Sequence, residues 1–181
     1  MRLVAASGAY ALGRKCDDLI ITALSGASNT TSMTLTSKGA FKNDVLGSIQ
    51  ALYDRDVPDD GDIFGAVSPR YWAHLMNLPE FASADYTGPN LPYINPAFVR
   101  TWLGVNWIRH SGLKASTSTN YLYHRISVGH GVGSDVKSDI TWHGDRAAYF
   151  VANSMSMGAV LIDGNGVQKM TVVEATALPT S

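Results

Sequence analysis

The chain has 181 residues, 45% apolar and 16% charged, with a formal charge of −1. That supports a sizeable core in one domain or a lobed one, and gives no electrostatic reason for duplex DNA binding. The single cysteine excludes an internal disulfide framework, and no apolar run approaches the ~20 residues of a membrane span, so no membrane partner is expected.

In chain order, residues 3–24 predict a long amphipathic helix. Leu3, Ala6, Tyr10, Gly13, Cys16 or Asp17, Ile20 and Leu24 recur at three- and four-residue steps, which places them on one face. Such a helix spans about 30 Å at ~1.5 Å per residue. Arg14 precedes Asp18 by one turn and can pair with it on the outer face; Gly26 is the stop signal. Cys16 reads as a small buried hydrophobe. The opening stretch has too short an apolar core for a signal peptide. Residues 25–37 are a polar connector with a short strand at 33–36. A second helix follows over 38–53, capped by Thr36 or Ser37 and burying Phe41, Val45, Ile49 and Leu52.

Residues 54–62 form a turn around Pro58 and Gly61. Their aspartates fail as a calcium loop, because Pro58 takes the fifth place and no acid stands at the twelfth. A strand over 63–67 leads to Ser68 and Pro69, an N-cap and a first-turn proline. The helix they open carries Tyr71, Trp72, Leu75 and Met76 and ends before Pro79. Residues 82–97 are an irregular loop, and 98–110 read as one strand with a bulge or bend at Gly104. Residues 121–132 suit a strand or a helix. The strongest β signal runs over 137–173, where Asp163-Gly-Asn-Gly166 predicts a hairpin turn between 158–162 and 167–173. Residues 175–181 read as a tail. The order of elements is α+β.

No catalytic constellation emerges. The five histidines form no H-E-x-x-H or H-x-H pair. Gly129-His-Gly-Val-Gly133 lacks the helix and the later acid of a dinucleotide site. No G-x-S-x-G is present, and Cys16 has no evident catalytic partner. The expectation is no enzyme, no cofactor and no metal. The rival from another class is a small α+β enzyme or binding domain with a cleft lined by His124, His130 and His143.

The order of motifs carries more information than any one of them. Ala11-Leu-Gly-Arg-Lys-Cys-Asp-Asp-Leu-Ile-Ile21 resembles the A-x-G-R-x-x-D-x-x-I-I segment of tailed-phage major capsid (coat) proteins. Asp56-Val-Pro58 and Ala66-Val-Ser-Pro69, with Trp72 and Leu75 on the next helix, are similar to that family's strand-to-helix entry. Trp102-Leu-Gly-Val-Asn-Trp-Ile108, Tyr123-His-Arg125, and Met157-Gly-Ala159 with Asp163 and Gly166-Val167 resemble later segments in the same order. Ser127 and His130 depart from it, being polar where the family tends to small apolar residues.

The resemblance implies the HK97-like capsid fold. Residues 3–24 would be its spine helix, 1–57 and 137–181 its peripheral domain, and 58–136 its axial domain. Family members carry an N-terminal arm and an extended loop before the spine helix, so the resemblance implies that this chain lacks both and is a truncated form of such a subunit. The implied function is a structural subunit of a bacteriophage icosahedral shell enclosing DNA, found in the virion and assembled in the host cytoplasm. The implied partners are copies of the chain in pentamers and hexamers, DNA held without sequence reading, and scaffolding or decoration proteins. Tyr86 and Tyr93 are the candidate subunit contacts. An encapsulin-like nanocompartment shell is the structural alternative.

Overall fold

The computed structural model describes residues 2–33, 38–82, 99–113 and 117–173. The chain forms two compact units: Met1–Gly26 with Val128–Ile162, and Ala27–Ser127 with Asp163–Ser181.

The larger unit is built on a six-stranded mixed sheet, in the order β1 (Thr30–Ser32), β8 (Val167–Val173), β5 (Thr117–His124), β2 (Ile63–Val67), β4 (Val105–Arg109), β3 (Val99–Trp102). β1 runs parallel to β8 and β2 parallel to β4, while the other pairs are antiparallel. Helix α2 (Lys38–Tyr53) has the predicted bounds, and its stripe Phe41, Val45, Ile49 and Leu52 is buried. That stripe meets Ile63, Val67, Tyr71, Trp107, Leu122 and Met170 in one core. Helix α3 (Pro69–Met76) starts as its sequence predicts. The Oγ of Ser68 accepts the N–H of Tyr71 at 3.1 Å, and Pro69 occupies the first turn. A short helix, α4 (Pro79–Ala82), follows and buries Phe81. Burial pushes the phenol of Tyr71 far above its usual range, and its O–H reaches Met170 Sδ at 3.5 Å.

Three expectations change here. Residues 98–110 are not one strand: β3 and β4 are antiparallel neighbours joined by Leu103 and Gly104. Both joining residues have positive φ, 54° and 74°, which is the two-residue primed turn that matches strand twist. Asp163-Gly-Asn-Gly166 is not a hairpin turn. It carries the chain from one unit to the other, and β8 becomes an interior strand between β1 and β5. Asn29 fixes that entry, its amide donating to the carbonyls of Gly164 and Val167 at 2.8 and 3.3 Å. Residues 121–132 resolve into the end of β5, a 3₁₀ turn (Arg125–Ser127) and the start of β6.

The smaller unit is α1 (Arg2–Ser25) packed on a hairpin of β6 (Val128–His143) and β7 (Ala148–Leu161). The helix is as long as expected, but its inner face differs. Ala5, Gly8, Ala9, Leu12, Cys16, Leu19, Ile20 and Ala23 are half-buried, whereas Leu3, Ala6, Tyr10 and Gly13 are exposed. Small residues on both sides of the helix leave apolar spacing a poor guide to which side packs. Cys16 is half-buried rather than buried, with its Sγ 3.1 Å from Nε2 of His130.

The compact units are cut after residues 26, 127 and 162. α2 shares its core with Tyr71 and Trp107, and β8 completes the six-stranded sheet, so both stand with residues 58–127.

Candidate interaction surface

The β6–β7 hairpin is longer than the helix that covers it. β6 has 16 residues, about 50 Å at ~3.3 Å per residue, against about 36 Å for the 24-residue α1 at ~1.5 Å per residue. Gly26 lies against Leu161 and Gly8 against Asn153, so α1 and β7 run the same way. Beyond Asn153 the helix has six residues left, about 9 Å. β7 has five, about 17 Å. The far end of the hairpin therefore projects past the first turn of α1.

Register assigns the side chains there to two faces. Trp142 stands opposite Tyr149 and Ile140 opposite Val151, on the face that meets α1 further along. Thr141 stands opposite Phe150 and His143 opposite Ala148, on the reverse face. Both faces are apolar and bare: Ile140, Trp142, Tyr149 and Phe150 are 45, 53, 55 and 58% exposed. The rings of Trp142 and Tyr149 meet edge to face at 4.9 Å, and those of His143 and Phe150 at 5.5 Å. Two strands alone are marginal in water, and exposed aromatics on both sides of a ribbon mark an interaction site. The turn carries opposite charges side by side, Asp145 and Arg146, with His143 Nδ1 3.8 Å from Asp145.

The sequence reading did not single out this surface. The available signal was Tyr149-Phe-Val151, an unbroken apolar run that puts bulk on both faces of a strand. Such a run also fits a doubly covered core strand. The expected contact residues Tyr86 and Tyr93 lie outside the described residues.

The three histidines of the enzyme alternative are not one cluster. His130 and His143 stand at separate places on β6, 13 residues apart, about 40 Å along a strand. His124 is buried at the end of β5 in the other unit. Its Nδ1 accepts the N–H of Ile126 at 3.3 Å, which places the ring hydrogen on Nε2, 3.0 Å from Asp60 Oδ1. That pair anchors the 3₁₀ turn, together with Arg125 N–H donating to the Asp62 carbonyl at 3.0 Å. Among the described residues no group of three or more His, Cys, Asp or Glu is placed to hold a metal ion. No described helix is long and apolar enough to cross a membrane.

The profile of the phage capsid protein family matches residues 3–174. Among solved structures the fold is similar to that of a chain from Mycobacterium phage Che8. The two are 14% identical with a TM-score of 0.73, covering 95% of this chain and 62% of that one. It is also similar to the capsid of cyanophage P-SCSP1u, at 13% identity and TM-score 0.58, with 81% and 54% covered. The SrpI encapsulin of Synechococcus elongatus PCC 7942 is 10% identical, with TM-score 0.56 and 88% and 59% covered. The chain thus spans 54 to 62% of the length of these structures. No curated protein sequence matches it. The fold is α+β and HK97-like, as the resemblance implied. The chain belongs to the phage capsid protein family.

Proposed function

We propose that the chain is a structural subunit of a bacteriophage icosahedral shell enclosing DNA, not an enzyme. The family match over residues 3–174 carries this reading. The bare two-faced hairpin and the low share of charged residues support it, since a shell subunit works by burying modest surfaces against many copies of itself. In this reading residues 1–57 and 137–181 form the peripheral-type domain, and residues 58–136 the axial-type domain that meets neighbours at five- and six-fold centres. Tyr86 and Tyr93 are contacts in those rings. Packaged DNA meets scattered Lys and Arg without sequence reading, because a chain of charge −1 offers no basic groove. Assembly takes place in the host cytoplasm, with scaffolding or decoration proteins as further partners.

The likeness to the SrpI encapsulin supports a second reading, a nanocompartment shell. Size-exclusion chromatography with light scattering, followed by negative-stain imaging, tests the first. Rings of five or six, or closed shells, are the expected species. A monomer at every concentration overturns the shell reading. Shells recovered from the source with a protein cargo and no nucleic acid favour the nanocompartment.

A further inference from the structure

We infer that Asn165-Gly166, at the entry to β8, is a site of spontaneous covalent modification. The Asn165 side chain closes onto the Gly166 nitrogen and reopens as an aspartyl or isoaspartyl residue, with the Arg55 guanidinium as the activating group. Water is the co-reactant. The inference goes beyond the shell reading and does not depend on it.

The chemistry needs an asparagine followed by a residue small enough to let the ring close, and the chain has a single Asn-Gly. Packing, rather than backbone freedom, fixes that glycine. A Cβ at residue 166 would fall 2.0 Å from Oγ and 3.2 Å from Cβ of Ser127, which is buried. Turning the Ser127 hydroxyl aside relieves only the first of these contacts. Asn165 itself is exposed, and its bonds among the described residues are to its backbone. Its N–H donates to Asp163 Oδ1 at 2.9 Å, and its carbonyl accepts the Nε–H of Arg55 at 2.8 Å. The side chain is left to turn. Among the described residues nothing accepts the Gly166 N–H, while the Gly166 carbonyl takes the N–H of His124 at 2.9 Å. The main chain is thus fixed on each side of a reacting amide and nitrogen that are themselves unengaged.

The Arg55 contact bears on the reaction itself. A guanidinium donating to the Asn165 carbonyl makes a charge-assisted bond. It draws electron density out of the Asn165–Gly166 peptide unit and makes the Gly166 N–H easier to ionise. The ionised nitrogen attacks Cγ of Asn165. A C–N bond forms, the bond from Cγ to the side-chain nitrogen breaks, and that nitrogen leaves as ammonia, taking its third hydrogen from water. The cyclic imide then takes up one water at either carbonyl. Opening on one side gives aspartate; opening on the other gives isoaspartate, whose main chain is longer by a methylene. Either product adds a negative charge. The isoaspartyl form also displaces the carbonyls that Arg55 and Asn29 hold, and so loosens the entry to β8 in one direction only.

The test incubates the full chain at neutral and alkaline pH, folded and in urea. Digestion and mass spectrometry locate the product, and an isoaspartyl methyltransferase marks the isoaspartyl form. The folded wild type is expected to gain the acid at Asn165, faster at alkaline pH, and Asn165→Gln to gain none there on the same timescale. Arg55→Gln, shown to be folded by circular dichroism, is expected to react about tenfold more slowly, the loss of one charge-assisted hydrogen bond. In urea, where that bond is gone, it is expected to match the wild type. A folded wild type that stays unmodified while the chain in urea converts overturns the site. Folded Arg55→Gln reacting as fast as the wild type, or faster, overturns the role of Arg55. The modified protein, separated by ion exchange, is expected to unfold at a lower urea midpoint, and an unchanged midpoint overturns the loosening.

Discussion

Gly65 and Trp107 stand directly opposite each other on β2 and β4, and the indole fills the space that a side chain at Gly65 would take. A Cβ there would fall 2.6 Å from Cε3 and 2.9 Å from Cζ3 of Trp107. The indole has nowhere to go: it is fully buried, stacked on Tyr71 at 6.2 Å, and its Nε1–H donates to the Trp102 carbonyl at 3.1 Å. Gly65→Ala is therefore expected to cost about 1–3 kcal/mol, the range for overpacking a close-packed core. A lower urea midpoint at unchanged slope is the readout. Gly47→Ala, on the open face of α2 with nothing near its Cβ, is expected to stabilise by about 0.5–1 kcal/mol. The pair of outcomes separates packing from backbone propensity, and equal effects at the two sites would remove the packing argument.

The start of α3 is held from both sides. Ser68 caps Tyr71, and its own N–H donates to Oδ1 of Asn120 on β5 at 2.7 Å. Ser68 and Asn120 are both fully buried. Ser68→Ala is expected to cost about 1–2 kcal/mol, the upper part of the N-cap range, because no water replaces the lost acceptor. Asn120→Leu leaves the buried Ser68 N–H without that acceptor, at about 1–3 kcal/mol. Since both act on one helix entry, the double variant is expected to fall short of the sum, and a double-mutant cycle measures the shortfall.

Asp60 sets part of the acid limit of stability. The Nε2–H of His124 and the N–H of Asp62 hold its carboxyl below the usual carboxylate range. A depressed value in the folded state means that the unfolded chain takes up the proton first on acidification. The stabilisation is thus fully present above about pH 4, the ordinary Asp value, and is lost as pH falls through the depressed one. Asp60→Asn is expected to be less stable than the wild type at pH 7, with the gap closing below about pH 4. Glu80, held low by Lys42, acts in the same direction, so the acid limb flattens but persists. Urea midpoints at pH 7, 5, 4 and 3 read this, and a constant gap would rule Asp60 out as its source.

What the sequence made legible was local. The α2 stripe, the β2 strand and the Ser68–Pro69 entry depend on neighbours within a turn or two, and all appear as expected. What it hid was pairing. Asp163-Gly-Asn-Gly166 has the composition of a hairpin turn, but only the long-range bonds from Asn29 decide that the chain leaves one sheet for another there. The real hairpin turns at Gly144–Ala147, where Ala147 has a φ of 46° and the composition gives little warning. The candidate surface was hidden for a related reason: Tyr149-Phe-Val151 has the composition of core until register shows that no element of its own unit covers Phe150.

The Leu103–Gly104 turn was misread because leucine is a poor residue for it, and that mismatch makes a stabilising prediction. Leu103 is held at a φ of 54°, a region costing a side chain with a Cβ about 1–2 kcal/mol relative to right-handed backbone. It is also 40% exposed, so little packing offsets that cost. Asparagine tolerates the left-handed region, and Asn-Gly is the preferred pair for this turn. Leu103→Asn is expected to raise stability by about 0.5–1 kcal/mol, whereas Gly104→Val, at a φ of 74°, is expected to lower it by more than that. Thermal and urea unfolding of the two variants give the sign directly. If Leu103→Asn destabilised the chain instead, packing of the leucine within the chain would outweigh the cost of its left-handed backbone.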